Sequence, residues 1–228
     1  MGTKNLLECA AACPSVQAFI YTSSDSALVP KTGVLTEDDV EAYTLESTAT
    51  PYQRTKGHAD TSVLSSNSEN LKTARLRMGT MFSENDPCYI AGALDQLAKG
   101  QHKTQLGTNK LRRESVYVES AAHAHIAAAK SLPARKPGVA GEAFFISDNE
   151  PMPLYDLNCN IWHAAGDRAD WAKEVTVVPF WLVMAVAGVW EWEFWVSVLG
   201  RREPEIRRDV LAYMERLCVF RSRRPGRR

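Results

Sequence analysis

The stretch "VQAFIYTSS", Val16–Ser24, carries no charge, is rich in β-branched and aromatic side chains, and ends in small hydroxyl residues. Such a run specifies a strand covered on both faces, and a strand of that kind needs helices packed above and below it. Three further stretches read as strands: the alternating "LKTARLRM" (Leu71–Met78), "ESVYVES" (Glu114–Ser120) and "GEAFFISD" (Gly141–Asp148). Helical stretches fall between them. Gly2–Cys13 places Leu6, Leu7, Ala10 and Cys13 on one side and stops at Pro14. Others run over Tyr52–Ser65, Asp86–Gly100 with Gly100 as C-cap, Ala121–Leu132 and Pro153–Gly166. Residues 30–50 read as a polar connection. Helices and strands alternating at this spacing predict an α/β fold built on a parallel sheet.

Composition narrows the class. The chain has 228 residues, 45% hydrophobic and 24% charged, with a formal net charge of zero. That suits a globular protein with one substantial core or two small ones. The charge is uneven. Arg201–Arg228 holds 10 arginines against 4 acids, and the rest of the chain is correspondingly acidic. A solvated tail is the plain reading of that segment. Nucleic acid and an anionic membrane surface are the alternatives it raises, and no nucleic-acid partner is expected. The 5 cysteines are irregularly spaced and form no Cys-x-x-Cys pair. Neither a disulfide framework nor a zinc site is predicted, and a reducing intracellular compartment fits. The N-terminus lacks the pattern of a signal peptide. His123 and His125 alternate on their helix and point to different faces, so no metal site is predicted there.

Chemistry enters at "PYQRTK", Pro51–Lys56. Tyr52 and Lys56 stand four residues apart, on one face of a helix. An ammonium beside a phenol stabilises the phenolate, and a phenolate can take the proton of an alcohol while a hydride leaves the same carbon. Ser24 lies at the carboxyl end of the predicted buried strand, where sites form in open α/β sheets. Ser24, Tyr52 and Lys56 thus make a workable acid–base set, with Ser24 holding the substrate oxygen. A surface Tyr and Lys beside a strand-end serine is the alternative that spacing alone leaves open.

Several segments together resemble the 3β-hydroxysteroid dehydrogenase/isomerase family, within the extended short-chain dehydrogenases/reductases, including the sterol-4α-carboxylate 3-dehydrogenases. "GTKNLLECA" looks like the family's Gly-Thr-x-Asn helix. "FIYTSSDSALV" resembles its serine-bearing strand end, and "PYQRTKGHAD" its catalytic helix. "TARLRMGTMFSEND" is similar to its Leu-Arg-Pro strand and loop, and "ESVYVESAAHAHIAAA" to its Tyr-Val-x-Asn-x-Ala-x-Ala-His segment. "GEAFFISDNEPMPLYDL" resembles its Gly-x-x-Phe-x-Ile-x-Asp-x-x-Pro segment. The order and spacing of these pieces, from Gly2 to Phe220, are more specific than any one of them. The resemblance implies that Tyr52 is the catalytic acid/base, with Lys56 its partner and a ligand of the nicotinamide ribose, and Ser24 the third member. It implies that Thr22, Ser23, Arg77 and Met78 border the cofactor. It also implies NAD or NADP as cofactor and the 3β-hydroxyl of a sterol or steroid as substrate.

The departures are specific. No Gly-x-x-Gly-x-x-Gly motif is present, and the only glycines before Gly57 are Gly2 and Gly33. In the family that motif lets the backbone approach the pyrophosphate at a helix N-terminus. The chain begins where the family's fourth helix would begin. Met78 stands where proline is usual and Ser120 where asparagine is usual, and "RSRRPGRR" departs from the family's ending.

The predicted architecture is a partial Rossmann-like parallel sheet over residues 1–80. A mixed substrate-binding region, mostly helical but with returning Rossmann strands, covers 81–220, and a basic tail covers 221–228. An amphipathic helix is expected over 206–220. The apolar run Val175–Leu199 carries Glu191 and Glu193 after 16 uncharged residues, and Pro179 and Gly188 interrupt it. A bilayer core needs ~20 apolar helical residues, so a buried or membrane-surface helix is favoured over a spanning one. Trp190, Trp192 and Trp195 read equally as packing or as the wall of a sterol-sized pocket. A strand at Val16–Thr22 without its usual neighbours would be an edge, which favours a homo-oligomer, a partner or a membrane surface. The expected location is the cytoplasm or the endoplasmic-reticulum membrane. Two other functions stay open: a non-enzymatic relative that binds an apolar ligand or partner, and an oxidoreductase acting on another secondary alcohol.

Overall fold

The computed structural model describes residues 2–31, 33–198, 208, 211–212 and 219–220. The basic tail, Leu199 and most of the amphipathic helix expected over 206–220 lie outside the described residues. The described chain forms two compact units. The first holds residues 2–82, 114–150 and 219–220, and the second holds 83–113, 151–198, 208 and 211–212.

The first unit is α/β, with a three-stranded parallel sheet. Its strands are β1 (Ala18–Ser24), β2 (Lys72–Met78) and β3 (Glu142–Ile146), in that spatial order. Ala18 pairs with Lys72 and Ser24 with Met78, so β1 and β2 end level with each other. Met78 in turn pairs with Ile146. The central strand β2 is buried from Thr73 onward. β1 is half-buried rather than covered on both faces, and among the described residues it pairs with β2 alone. Three helices accompany the sheet: α1 (Gly2–Ala12), α2 (Pro51–Ser65) and α4 (Val118–Ser131), with α3 (Tyr89–Ala98) belonging to the second unit. Leu76 and Met78 pack with Val116 and Ala121, and Ile20 and Phe144 close around them. A second cluster joins Leu28, Leu35, Phe145 and Phe220, where the two phenylalanine rings stack at 3.9 Å.

Local sequence fixes where α2 starts. The Thr50 side chain accepts from Gln53 N at 3.2 Å, and the Gln53 side chain accepts from Thr50 N at 3.0 Å. This reciprocal cap, followed by Pro51 at the first helical position, places the helix start one residue before Tyr52. At "ESVYVES" the strand is shorter than the sequence suggests: Ser115–Tyr117 is extended, beside Thr80–Phe82, and α4 already begins at Val118. The Asp148 carboxylate accepts from Tyr117 N at 2.7 Å and ends the strand there. Glu119 then suits the first turn of a helix, where the dipole favours an anion.

The second unit is mostly helical. It contains α3, α5 (Leu154–Ala164) and α6 (Phe180–Val198). Asp86 caps α3 by accepting from Tyr89 N and Ile90 N, and Gly100 follows its end at φ +68°. Trp162 is buried and donates its indole N–H to Ala93 O at 2.7 Å, joining α5 to α3. The apolar run predicted as one segment is divided. Thr176–Val178 is a strand beside Thr104–Leu106, and the helix starts at Phe180 because Pro179 cannot continue the strand ladder.

Candidate active site

The carboxyl end of β1, the first two turns of α2 and the middle of α4 converge in the first unit. Thr22 is the meeting point. Its backbone oxygen accepts from Lys56 Nζ at 3.2 Å, and its hydroxyl lies 2.7 Å from His125 Nε2. Lys56 is half-buried, with its ammonium 5.3 Å from the centroid of the Tyr21 ring. Burial, with the charges of Asp60 and Tyr52 adding to it, pushes the Tyr21 phenol up to about 12. Tyr21 therefore stays neutral beside the ammonium at neutral pH. Tyr52 stands one turn before Lys56 and is 55% exposed.

Ser24 closes β1 in extended conformation and caps a short 3-10 turn, Asp25–Ala27. Its hydroxyl accepts from Ser26 N and donates to Asp25 Oδ1, each at 3.2 Å. The turn brings Ala27 against α2 at Gly57. A Cβ on Gly57 would come within 2.7 Å of Tyr43 N and 2.9 Å of Ala27 O, and closer still to Tyr43 O. Only glycine permits this approach, and the approach sets α2, with Tyr52 and Lys56 on it, against the end of β1.

The other residues assigned by resemblance sit deeper. Arg77 is 4% exposed and donates to both oxygens of Asp60, at 3.2 and 2.7 Å. Arg75 donates to the same carboxylate at 2.8 Å. Asp60 is fully buried. Burial alone would raise its pKa. Hydrogen bonds and charge from Arg77, the charge of Arg75 and the neighbouring Ser23 hydroxyl outweigh that and hold the carboxyl below the usual carboxylate range. The Arg77 guanidinium is thus committed to Asp60, and Met78 is buried in the core with Leu76 and Val116. Ser23 is buried beside Asp60. Of the seven assigned residues, the structure places Thr22, Ser24, Tyr52 and Lys56 at the accessible rim. It places Ser23, Arg77 and Met78 behind it.

Sequence reading missed three positions. Asp60 is the anchor of α2, Gly57 is its contact point, and His125 is held against Thr22. His125 was visible as a motif histidine, but its partner lies 103 residues earlier in the chain, beyond any local pattern.

In the second unit a cavity of about 290 Å³ is lined by Leu106, Leu111, Leu154, Tyr155 and Phe180, with amides such as Asn158 at its wall. Trp190, Trp192 and Trp195 do not line it. They stand on α6, a mainly apolar helix with no distinct polar face that is largely exposed, with Trp181 and Trp192 each 71% exposed. Trp190 and Trp195 are half-exposed and the helix as a whole is not buried. Among the described residues, no helix is long and apolar enough to cross a membrane.

A nicotinamide dinucleotide is the cofactor that the site's residue types suggest, and the rim fits one end of it. Lys56 offers an ammonium and Thr22 an exposed hydroxyl, both at the carboxyl end of a parallel strand. The sequence supplies no glycine-rich turn for the pyrophosphate.

Comparison with known proteins bears on the family. The model of the 3-beta hydroxysteroid dehydrogenase/isomerase family matches residues 1–176. The chain is 35% identical over 224 residues to a decarboxylating sterol-4-alpha-carboxylate 3-dehydrogenase of Gibberella zeae, covering 96% of this chain and 74% of that one. It is 31% identical over 205 residues to the Schizosaccharomyces pombe enzyme of the same name, covering 89% of this chain but 57% of that one. Among solved structures, the UDP-glucuronic acid 4-epimerase of Bacillus cereus in complex with NAD superposes with a TM-score of 0.62 at 20% identity. That match covers 78% of this chain and 55% of the epimerase and shares the Rossmann-type fold. On these matches the chain belongs to the 3-beta hydroxysteroid dehydrogenase/isomerase family.

Proposed function

We propose that this protein oxidises the 3β-hydroxyl of a sterol or steroid to a ketone with a nicotinamide dinucleotide, and that Tyr52, Lys56 and Ser24 carry the proton chemistry. The observation that carries the reading is the Lys56 ammonium held on the Thr22 carbonyl at the end of β1, one helical turn from Tyr52. Tyr52 takes the hydroxyl proton, and its exposure leaves the phenol open to substrate. Lys56 places a positive charge one helical turn from the phenol as the proton is transferred and offers its other N–H bonds to a ribose, and the exposed phenol then passes the proton to water. Ser24 holds the substrate oxygen once its hydroxyl hydrogen turns from Asp25 Oδ1 to the substrate. The nicotinamide, when bound, accepts the hydride from C3. NAD is preferred here because the epimerase that shares the fold was solved with it. Dehydrogenation of a 3β-hydroxysterol at millimolar NAD, followed by reduced-nicotinamide absorbance and identification of the 3-ketone, tests this. Absence of the ketone under those conditions refutes it.

The exposed tryptophans and valines of α6 favour an intracellular membrane surface as the working location, which is also where a sterol is presented. A non-enzymatic apolar-ligand binder is the second reading, supported by the cavity of the second unit with Leu106, Leu111, Leu154 and Phe180 in its wall. That protein would bind sterol in the same assay and leave NAD unreduced.

A further inference from the structure

Thr22 is held from two sides, by α2 through its carbonyl and by α4 through its hydroxyl. The protons on the second contact follow from simple chemistry. His125 Nδ1 lies 2.7 Å from the carbonyl oxygen of Ala121, one turn earlier on α4. A carbonyl oxygen only accepts, so Nδ1 carries a hydrogen. In a neutral imidazole the other nitrogen is then bare and can only accept. The Thr22 hydroxyl, 2.7 Å away, must donate to it. Its hydrogen is therefore committed to His125, and the hydroxyl oxygen of this exposed residue is left to accept.

We infer that His125 is a positioning residue that fixes the polarity of the Thr22 hydroxyl, so that the rim of the site presents an acceptor. The ligand group it suits is a hydrogen-bond donor, such as a ribose hydroxyl or an amide N–H. The same contact pins Thr22 at a second atom, so α4 helps to hold the residue on whose carbonyl the Lys56 ammonium rests. This inference rests on the dehydrogenase reading for its kinetic consequence but not for its proton assignment.

Nitrogen-15 NMR of the histidines in the full chain tests the assignment without any cofactor. The His125 ring is expected with a protonated Nδ1 and a bare Nε2, and Thr22→Val is expected to shift Nε2 alone. A protonated Nε2, or a spectrum indifferent to Thr22→Val, overturns the inference. Kinetics supply the second arm. His125→Leu is expected to lower sterol-dependent NAD reduction roughly 3- to 10-fold, the size of one neutral hydrogen bond. His125→Gln, whose amide oxygen can accept in place of Nε2, is expected to restore most of it. Thr22→Val combined with His125→Leu is expected to cost no more than either alone. Equal losses in His125→Gln and His125→Leu, or additive losses in the double variant, assign His125 a packing role only and overturn the inference. Absence of turnover in the unaltered protein refutes the dehydrogenase reading instead, and the NMR arm then decides the proton assignment by itself.

Discussion

Replacing Asp60 with asparagine keeps the shape of the side chain and removes its charge. Two guanidinium groups then remain in the core of the first unit, since the Arg75 and Arg77 side chains are only 10% and 5% exposed and share this one carboxylate at 2.8 and 2.7 Å. Removing one partner of a buried ion pair costs ~3–5 kcal/mol, because the charge left behind is neither solvated nor compensated. That is a large part of the ~5–15 kcal/mol that keeps a protein folded. For a chain of this size it corresponds to a melting temperature lower by roughly 6–20 °C. The control is Asp95→Asn, which breaks an ion pair to Lys99 whose side chains are more than half exposed. It should change stability by less than ~1 kcal/mol. The pH dependence has a defined sign. The folded-state pKa of Asp60 lies below its unfolded value of about 3.9. Its contribution is therefore fully present above about pH 4 and is lost as the pH falls through the folded value. Thermal melts of the three proteins near neutral pH decide the matter. A melt of Asp60→Asn within about 2 °C of the unaltered protein would refute the argument that these charges are shielded from water.

Three other outcomes are expected. Gly57→Ala should destabilise the protein by at least ~1–3 kcal/mol, because its methyl group would overlap backbone atoms of Tyr43 and Ala27 rather than a flexible side chain, and denaturant titration measures this. Paired Trp181→Ala and Trp192→Ala substitutions should weaken binding to phospholipid vesicles at least about tenfold in a flotation assay, since each exposed ring forfeits apolar burial of ~1.5 kcal/mol or more. Calorimetry should give NAD a dissociation constant in the millimolar range or weaker, about −4 kcal/mol, because no glycine-rich turn is present to hold the pyrophosphate, and micromolar binding would reveal a phosphate site of another kind.

Much of the first unit is legible in the residues because its signals are local. Thr50, Pro51 and Gln53 mark the start of α2, and so the placement of Tyr52 and Lys56 on one face follows from four adjacent positions. The apolar run at Val16–Ser24 reads as a strand for the same reason. What escapes is set by distance in the chain. Asp60 meets Arg75 and Arg77 only when α2 folds back on β2, and a charge on a helix with little amphipathic contrast reads as surface. Gly57 looks like an ordinary helical glycine until Tyr43 lies against it. The tryptophans of α6 are hard to place because aromatic clusters usually pack inward, whereas this helix has no segregated polar and apolar faces and offers no sequence signal for which side is covered. At "ESVYVES" β-branched residues suggest a longer strand, and the Asp148 contact that ends it is 31 residues away.

The central claim is that Tyr52 moves the proton while a hydride leaves C3. The direct measurement uses a sterol deuterated at the 3α position, incubated with the full chain at millimolar NAD, with deuterium followed into the reduced cofactor by mass spectrometry. The unaltered protein is expected to transfer the label, and Tyr52→Phe, which loses one exposed hydroxyl and no packing, is expected to transfer it at least ~10²-fold more slowly with an unchanged melting temperature. Label transfer by Tyr52→Phe at the rate of the unaltered protein would contradict the assignment.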